Sequence, residues 1–195
     1  MRNVFILAAT LCILCLNEAT AQVKPGIKVA LNYSSIESEY FQDTDNGVGY
    51  SIGGFLDVPV SNAFHLEPTL LYSVKRDKAM QEGITNKIRF NYLDLPLLMR
   101  FYVADGFNLF IGPQMSVNLD GKMIAESEGI QVKSDLPDVE EVLFGINLGM
   151  GYKLASGLNL QVGYEYEWTG SLEKVDGLDP NAHIGSLQLS AAYAF

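Results

Sequence analysis

The sequence predicts an all-β protein: an eight-stranded antiparallel up-and-down transmembrane β-barrel, preceded by a cleaved signal peptide. Three observations predict it. The final segment, His183 to Phe195, sets Gly185, Leu187, Leu189, Ala191 and Tyr193 on one face and Ser186, Gln188, Ser190, Ala192 and Ala194 on the other, because strand side chains alternate with period two. Seven earlier stretches repeat that pattern. Beyond the leader no run reaches the roughly 18 apolar residues of a membrane helix, yet mean hydropathy is +0.12. Lipid offers no hydrogen bonds to the backbone, so an exported chain of this kind is left with a closed barrel.

The elements follow in order. The first strand, Gly26 to Ser34, opposes Ile27, Val29, Leu31 and Tyr33 to Lys28, Ala30, Asn32 and Ser34. The second, Gly49 to Val58, opposes Tyr50, Ile52, Leu56 and Val58 to Ser51, Gly53, Phe55 and Asp57. The third, Phe64 to Lys75, sets Leu66, Leu70, Tyr72 and Val74 against His65, Glu67, Thr69, Ser73 and Lys75. The fourth, Ile88 to Tyr102, sets Leu93, Leu95, Leu97, Met99 and Phe101 against Asp94, Pro96, Leu98 and Arg100. Its register would carry Arg89 and Asn91 onto the apolar face, so a bulge or an end projecting past the bilayer is expected there. The fifth, Phe107 to Leu119, the sixth, Leu143 to Leu154, and the seventh, Leu158 to Trp168, alternate in the same way.

The connections alternate long and short. Pro59–Ala63, Val103–Gly106 and Ala155–Gly157 are short; Ser35–Val48, Arg76–Lys87, Asp120–Val142 and Thr169–Ala182 are long. Bacterial barrels have short periplasmic turns and longer outside loops, which predicts N- and C-termini in the periplasm of a Gram-negative bacterium. The first long connection holds Glu37, Glu39, Asp43 and Asp45. The third holds Asp120, Glu126, Glu128, Asp135, Asp138, Glu140 and Glu141 against Lys122 and Lys133. Charge runs of this kind are solvated loop surface first. The sharper reading is divalent-cation bridging to lipopolysaccharide phosphates or capture of a basic ligand. No stretch carries the D-x-D-x-D-G spacing of a calcium loop.

The leader reads as residues 1–21, with the barrel domain at 22–195. Arg2 precedes the apolar run Val4 to Leu16, and Ala19-Thr20-Ala21 is a small-x-small site that places cleavage between Ala21 and Gln22. Cys12-Ile13-Leu14-Cys15 has C-x-x-C spacing but lies inside the leader, so the mature chain has no thiol for a disulfide or a metal. Removing the leader takes away Arg2 and Glu18 and leaves the net charge at −10. That balance argues against nucleic acid as a partner.

Alternation alone does not say which face meets lipid. One set of faces is almost purely aliphatic and aromatic. The other carries Lys28, Asp57, His65, Glu67, Lys75, Asp94, Arg100, Lys153, Glu165 and Glu167. A barrel of about eight strands is just wide enough to be filled by side chains, and charges packed there have to pair. Aromatics at strand ends, Tyr33, Tyr72, Tyr152, Trp168, Tyr193 and Phe195, suit interfacial girdles. A soluble lipocalin-like barrel, with the faces reversed, is the competing fold.

The interior polar network is therefore expected to contain Lys28, Asp94, Arg100, Lys153, Glu165 and Glu167. Lys153, on the strand next to the two glutamates, is their expected partner. No enzyme is predicted. His183 and Ser186 are three apart and face opposite sides of a regular strand, which spoils a serine-hydrolase arrangement. His65 with Glu67, and Glu165 with Glu167, read as interior pairs rather than acid–base couples. Two histidines and no mature cysteine predict no zinc site. Gly145, Gly149 and Gly151 precede no helix and so form no phosphate loop; they leave room for bulky inward residues such as Phe55 and Phe110. No cofactor is expected.

Four segments together carry a family resemblance: Gly26-Ile27-Lys28-Val29-Ala30-Leu31-Asn32, Tyr92-Leu93-Asp94-Leu95-Pro96-Leu97-Leu98, Gly112-Pro113-Gln114 and Gly149-Met150-Gly151-Tyr152. The chain resembles the PorT-like outer-membrane β-barrel family of the Bacteroidota. The resemblance implies insertion by the barrel-assembly machinery, which reads a final strand like this one with Tyr193 and Phe195 near its end. It transfers no catalytic residue. A structural or interaction role comes first, in contact with outer-membrane lipid and lipopolysaccharide. An accessory part in a secretion or envelope assembly (type IX secretion, by likeness to PorT) comes second, and a narrow channel third.

Overall fold

Alternating strands of this length satisfy their backbone only by pairing on both edges, and the chain does so by closing on itself. The computed structural model describes residues 23–37, 44–81, 84–127, 130–135, 142–167 and 183–195. The strands are β1 (Lys24–Glu37), β2 (Thr44–Pro59), β3 (Phe64–Gln81), β4 (Ile84–Tyr102), β5 (Phe107–Ser127), β6 (Ile130–Asp135), β7 (Val142–Lys153), β8 (Leu158–Glu167) and β9 (His183–Ala194). Each pairs antiparallel with the next around the wall, β4 with β5, β5 with β7, and β9 with β1. Eight strands thus close the barrel. The ninth, β6, pairs among the described residues with the far end of β5, from Lys122↔Asp135 to Ser127↔Ile130.

The final strand closes the wall in register, with Ile27 opposite Tyr193, Leu31 opposite Leu189 and Tyr33 opposite Leu187. Ile27, Val29, Leu31, Ile52, Leu56, Leu97, Leu148, Leu160 and Leu189 are exposed on the outside, while Lys28, Asn32, Ser51, Asp94, Gln114 and Gln188 are buried inside. The polar face is therefore the interior, as a membrane barrel requires and a lipocalin-like one forbids. At two of the short turns, Gly106 and Gly157 take positive φ (74° and 90°), a conformation open to glycine without Cβ strain.

Three expected connections are mostly strand. β1 runs on to Glu37 and β2 begins at Thr44. β3 runs on to Gln81 and β4 begins at Ile84, paired through Gln81↔Ile84, and β5 runs to Ser127. Past the bilayer neither face has to be apolar. Arg76-Asp77-Lys78 opposite Lys87-Ile88-Arg89 therefore shows no hydrophobic alternation and still forms a hairpin. The irregularity expected in β4 falls on its neighbour instead. Asn91 pairs with Asp120 but Tyr92 pairs with Asn118, so Leu119 is the extra residue in β5. β4 keeps its alternation, with Phe90, Tyr92 and Asp94 buried and Arg89 and Asn91 on the outward face. The leader with its Ala21–Gln22 site, and Trp168, lie outside the described residues.

Candidate functional site

The inward side chains form two ionic clusters, one above the other. In the cluster nearer the long connections, Lys75 on β3 sends its Nζ to Glu165 Oε1 at 2.8 Å and Glu167 Oε1 at 2.6 Å. Glu165 also accepts from Gln114 Nε2, and Glu167 accepts from Ser116 Oγ at 3.2 Å. Lys75 lies 5.1 Å from the Tyr92 ring centroid, a cation–π distance. Asp94 completes the group: one oxygen each of Asp94, Glu165 and Glu167 lies within 4.8 Å of the others. Such an oxygen set has the chemistry of a hard-cation site. Here the Lys75 ammonium brings a cation from the chain itself. Asp94 Oδ1 and Glu167 Oε2 find no hydrogen bond among the described residues.

The second cluster sits nearer the short turns. Arg100 on β4 donates to Glu67 Oε2 from Nε at 3.0 Å and from Nη2 at 2.6 Å, and from Nη1 to Asn108 Oδ1. Lys28 Nζ is 3.7 Å from the other Glu67 oxygen. Both cations lie against Phe110, at 5.1 Å for Arg100 and 5.8 Å for Lys28. At the rim, His65 Nδ1 and Asp57 Oδ1 are 2.5 Å apart, and Lys153 Nζ is 3.9 Å from Asp57 Oδ2.

Neutral groups complete the filling. Asn32 donates to Ser51 at 2.6 Å, Ser73 to Ser51 at 2.7 Å and Gln188 to Asn32 at 3.2 Å. Phe90 and Tyr92 of β4, opposite Lys75 and Ser73, form an apolar cluster with Leu143 inside the wall. Near the short turns a cavity of about 10 Å³ remains among Asp57, Glu67, Tyr102, Lys153 and Asn159, room for about one water. Arg100, Lys28, Glu165 and Glu167 are almost wholly buried, so they pack on one another rather than line an open lumen.

All six residues expected in the interior network face inward, but their pairing differs from expectation. Lys153 does not meet Glu165 or Glu167. In the hairpin of β7 and β8 it stands opposite Asn159, while Glu165 stands opposite Asn147. That is six residues up the strand, roughly 20 Å at the usual rise. The glutamates' partner is Lys75, whose strand lies four places from β8 in either direction around the barrel and therefore faces it across the lumen. The expected pair of His65 with Glu67 is also replaced, by His65 with Asp57, because Arg100 takes Glu67. Lys75 carried a signal in its inward parity; nothing local pointed across the barrel. Ser186 bonds Ser34 at 2.9 Å, and the His183 side chain lies outside the described residues.

The inward glycines make room unevenly. A Cβ on Gly149 would stand 2.5 Å from Phe110 Cζ, and one on Gly163 3.1 Å from the same atom. Gly145 faces Glu167, and Gly151 faces Asn108 and Asn159. Phe110 thus rests on Gly149, as expected, and on Gly163.

Residues 17–170 match the family model described as "Outer membrane protein beta-barrel domain". The chain belongs to that family. This outer-membrane barrel is similar in fold to Neisserial surface protein A, with 13% identity over 88% of this chain and 97% of that one and a TM-score of 0.59. It is also similar to Ail, the attachment invasion locus protein of Yersinia pestis, solved with the heparin analogue sucrose octasulfate, with 13% identity over 89% of this chain and 99% of that one and a TM-score of 0.53. At such identity the likeness is one of fold. No curated protein matches the sequence.

Proposed function

We propose that this outer-membrane barrel is a non-enzymatic structural or interaction protein whose working parts are its outer surface and its long connections. The observation that carries the reading is the filled interior. Two ionic clusters and the Phe90–Tyr92–Leu143 plug occupy the space that a conducting pore would leave to water. The long connections face the outside and both termini face the periplasm, supported by the alternation of long and short connections. Residues 1–21 act as the signal peptide. Lipopolysaccharide is the surrounding outer-leaflet lipid, and the barrel-assembly machinery inserts the chain.

Two measurements test this. The refolded barrel in a planar bilayer is expected to give no conductance steps; regular steps in the wild type would overturn the filled-interior reading in favour of a narrow channel. For orientation, single cysteines at Glu82 and Ser61 are probed with a membrane-impermeant maleimide on intact cells. Labelling at Glu82→Cys and protection at Ser61→Cys is expected, and the reverse pattern would invert the barrel.

A second reading, an accessory role in a secretion assembly of the PorT type, is favoured by the Tyr92–Leu98 segment and the glycine–proline pair at Gly112 and Pro113. A deletion strain that still delivers its secreted proteins to the surface at the normal rate would remove it.

A further inference from the structure

The buried charges of the lumen are shared unevenly between the two clusters. Among the described residues the buried cations are Lys28, Lys75 and Arg100. Lys28 and Arg100 both serve Glu67. That leaves Lys75 with three carboxylates, Asp94, Glu165 and Glu167, all buried and gathered together. Ionised, three acids around one ammonium carry two negative charges too many.

The hydrogen bonds do not relieve this surplus. Lys75 Nζ, Gln114 Nε2 and Ser116 Oγ all donate to the same two oxygens, Glu165 Oε1 and Glu167 Oε1. Asp94 Oδ1 and Glu167 Oε2 are buried and accept nothing among the described residues. A neutral acceptor in the same condition borders them. Asn147 on β7 stands directly opposite Glu165 and is buried. Its amide nitrogen donates to Gln114 Oε1 at 3.4 Å, and Gln114 donates onward to Glu165, which holds the amide beside the acids. Asn147 Oδ1 is left buried with no donor. Buried acceptors nearly always have a partner, and an uncompensated buried charge is costly. Orphan oxygens beside surplus negative charge have the chemistry of ligands for a metal ion.

We propose that Asp94, Glu165 and Glu167, joined by Asn147, hold one calcium ion inside the barrel, captured as the wall closes. One oxygen from each acid lies within 4.8 Å of the others. Oxygens that share a calcium at about 2.3–2.6 Å stand no more than about 5 Å apart, so the spread fits. Carboxylate and asparagine oxygens are calcium's ordinary ligands, and its two charges match the surplus. Glu167 bridges, with Oε1 on Lys75 and Oε2 on the metal. Magnesium fits less well, because it demands near-octahedral geometry and keeps several waters in a lumen filled with side chains. No D-x-D-x-D-G spacing marks the site, since its oxygens come from β4, β7 and β8 and meet only on closure.

The test refolds the mature chain into lipid vesicles with calcium or with chelator, beside the D94N/E167Q variant. The variant matches Glu165 to Lys75 one to one and keeps every acid of the long connections. Closure is checked by the gel shift on boiling. After gel filtration in metal-free buffer, wild type should retain about one calcium per chain by elemental analysis, as a single site requires, and the variant none above background. Calcium should raise the wild-type urea midpoint by about 1 M, the size for a ligand near a hundred times its dissociation constant, and leave the variant's unmoved. In chelator the variant should be the more stable of the two. Equal retention by wild type and variant would assign the metal to the connections and overturn the site. A wild type that holds no calcium, with a midpoint indifferent to it, would also overturn the site and leave the surplus to protons. Magnesium, or sodium at matched ionic strength, raising the midpoint as far as calcium would overturn the choice of calcium. The wild-type readings need no substitution, and D94N alone replaces the double variant if that one fails to close.

Discussion

Lys75 reaches its two glutamates across the lumen, from β3 to β8, whereas Arg100 reaches Glu67 on the strand beside its own. Both cations are buried, and both contact an aromatic ring at 5.1 Å. The difference lies in what surrounds them. Around Lys75 three carboxyl groups gather near one ammonium, so removing that ammonium strands several acids at once. Around Glu67 two cations share one carboxylate, and Asn108 gives Arg100 a neutral acceptor as well. The cross-lumen cluster ties opposite walls together and depends on a single residue. Arg100 ties its own strand to β3 and β5, neighbours that backbone hydrogen bonds already join, and Lys28 joins this cluster from β1.

The largest effect is therefore expected from Lys75→Met. Breaking a buried ion pair by removing one partner costs about 3–5 kcal/mol, read as a lowered urea midpoint for the folded band in lipid vesicles. Adding Glu165→Gln and Glu167→Gln should recover more than half of that loss, because the stranded charges go with them. A triple variant no more stable than the single one would sink the account of Lys75 as their counter-ion.

Glu67→Gln comes next, at about 2–3 kcal/mol, since an amide oxygen still accepts from Arg100 and hydrogen bonds to charged groups are worth about that much. A loss as large as that of Lys75→Met would erase the contrast between the clusters.

Gly163→Ala should cost about 1 kcal/mol, the low end of overpacking, because its Cβ would press on Phe110 at 3.1 Å. Phe110→Leu in the same chain should relieve it, although the leucine by itself loses contacts beneath Arg100 and Lys28. The coupling between the two substitutions, measured as a double-mutant cycle, is the quantity that checks the contact.

Lys153→Met should do least, under about 1 kcal/mol, the range of partly exposed ion pairs. Lys153 is 31% exposed and 3.9 Å from Asp57. A loss comparable to that of Lys75→Met would mean that the glutamates depend on Lys153 after all.

Much of the wall was legible residue by residue. The apolar and polar faces of the first strand, Ile27-Val29-Leu31 against Lys28-Ala30-Asn32, are the exposed and buried faces of β1, because a period of two leaves no other assignment once one face has to meet lipid. The limits of β3 to β5 were not legible. Beyond the bilayer the outward face is free of the apolar requirement, so residues such as Arg76 and Lys122 carry no pattern that distinguishes strand from loop. Phe90 and Tyr92 could have been read inward from their parity with Asp94, and with Leu143 they form the plug.

By itself the sequence determined the strand count of the barrel, the facing of each strand and the set of charges enclosed, since alternation is a local property that survives whatever the neighbours are. Only the tertiary structure decided which charges meet. Closure turns strands four places apart toward each other, so Lys75 finds Glu165 and Glu167 across the lumen. Antiparallel register carries Lys153 to the far end of its own hairpin. The extra residue at Leu119 sets β5 so that Lys122 stands beside Arg89. Each of these is a distance along or across the barrel, and a one-dimensional pattern with period two contains no such distance.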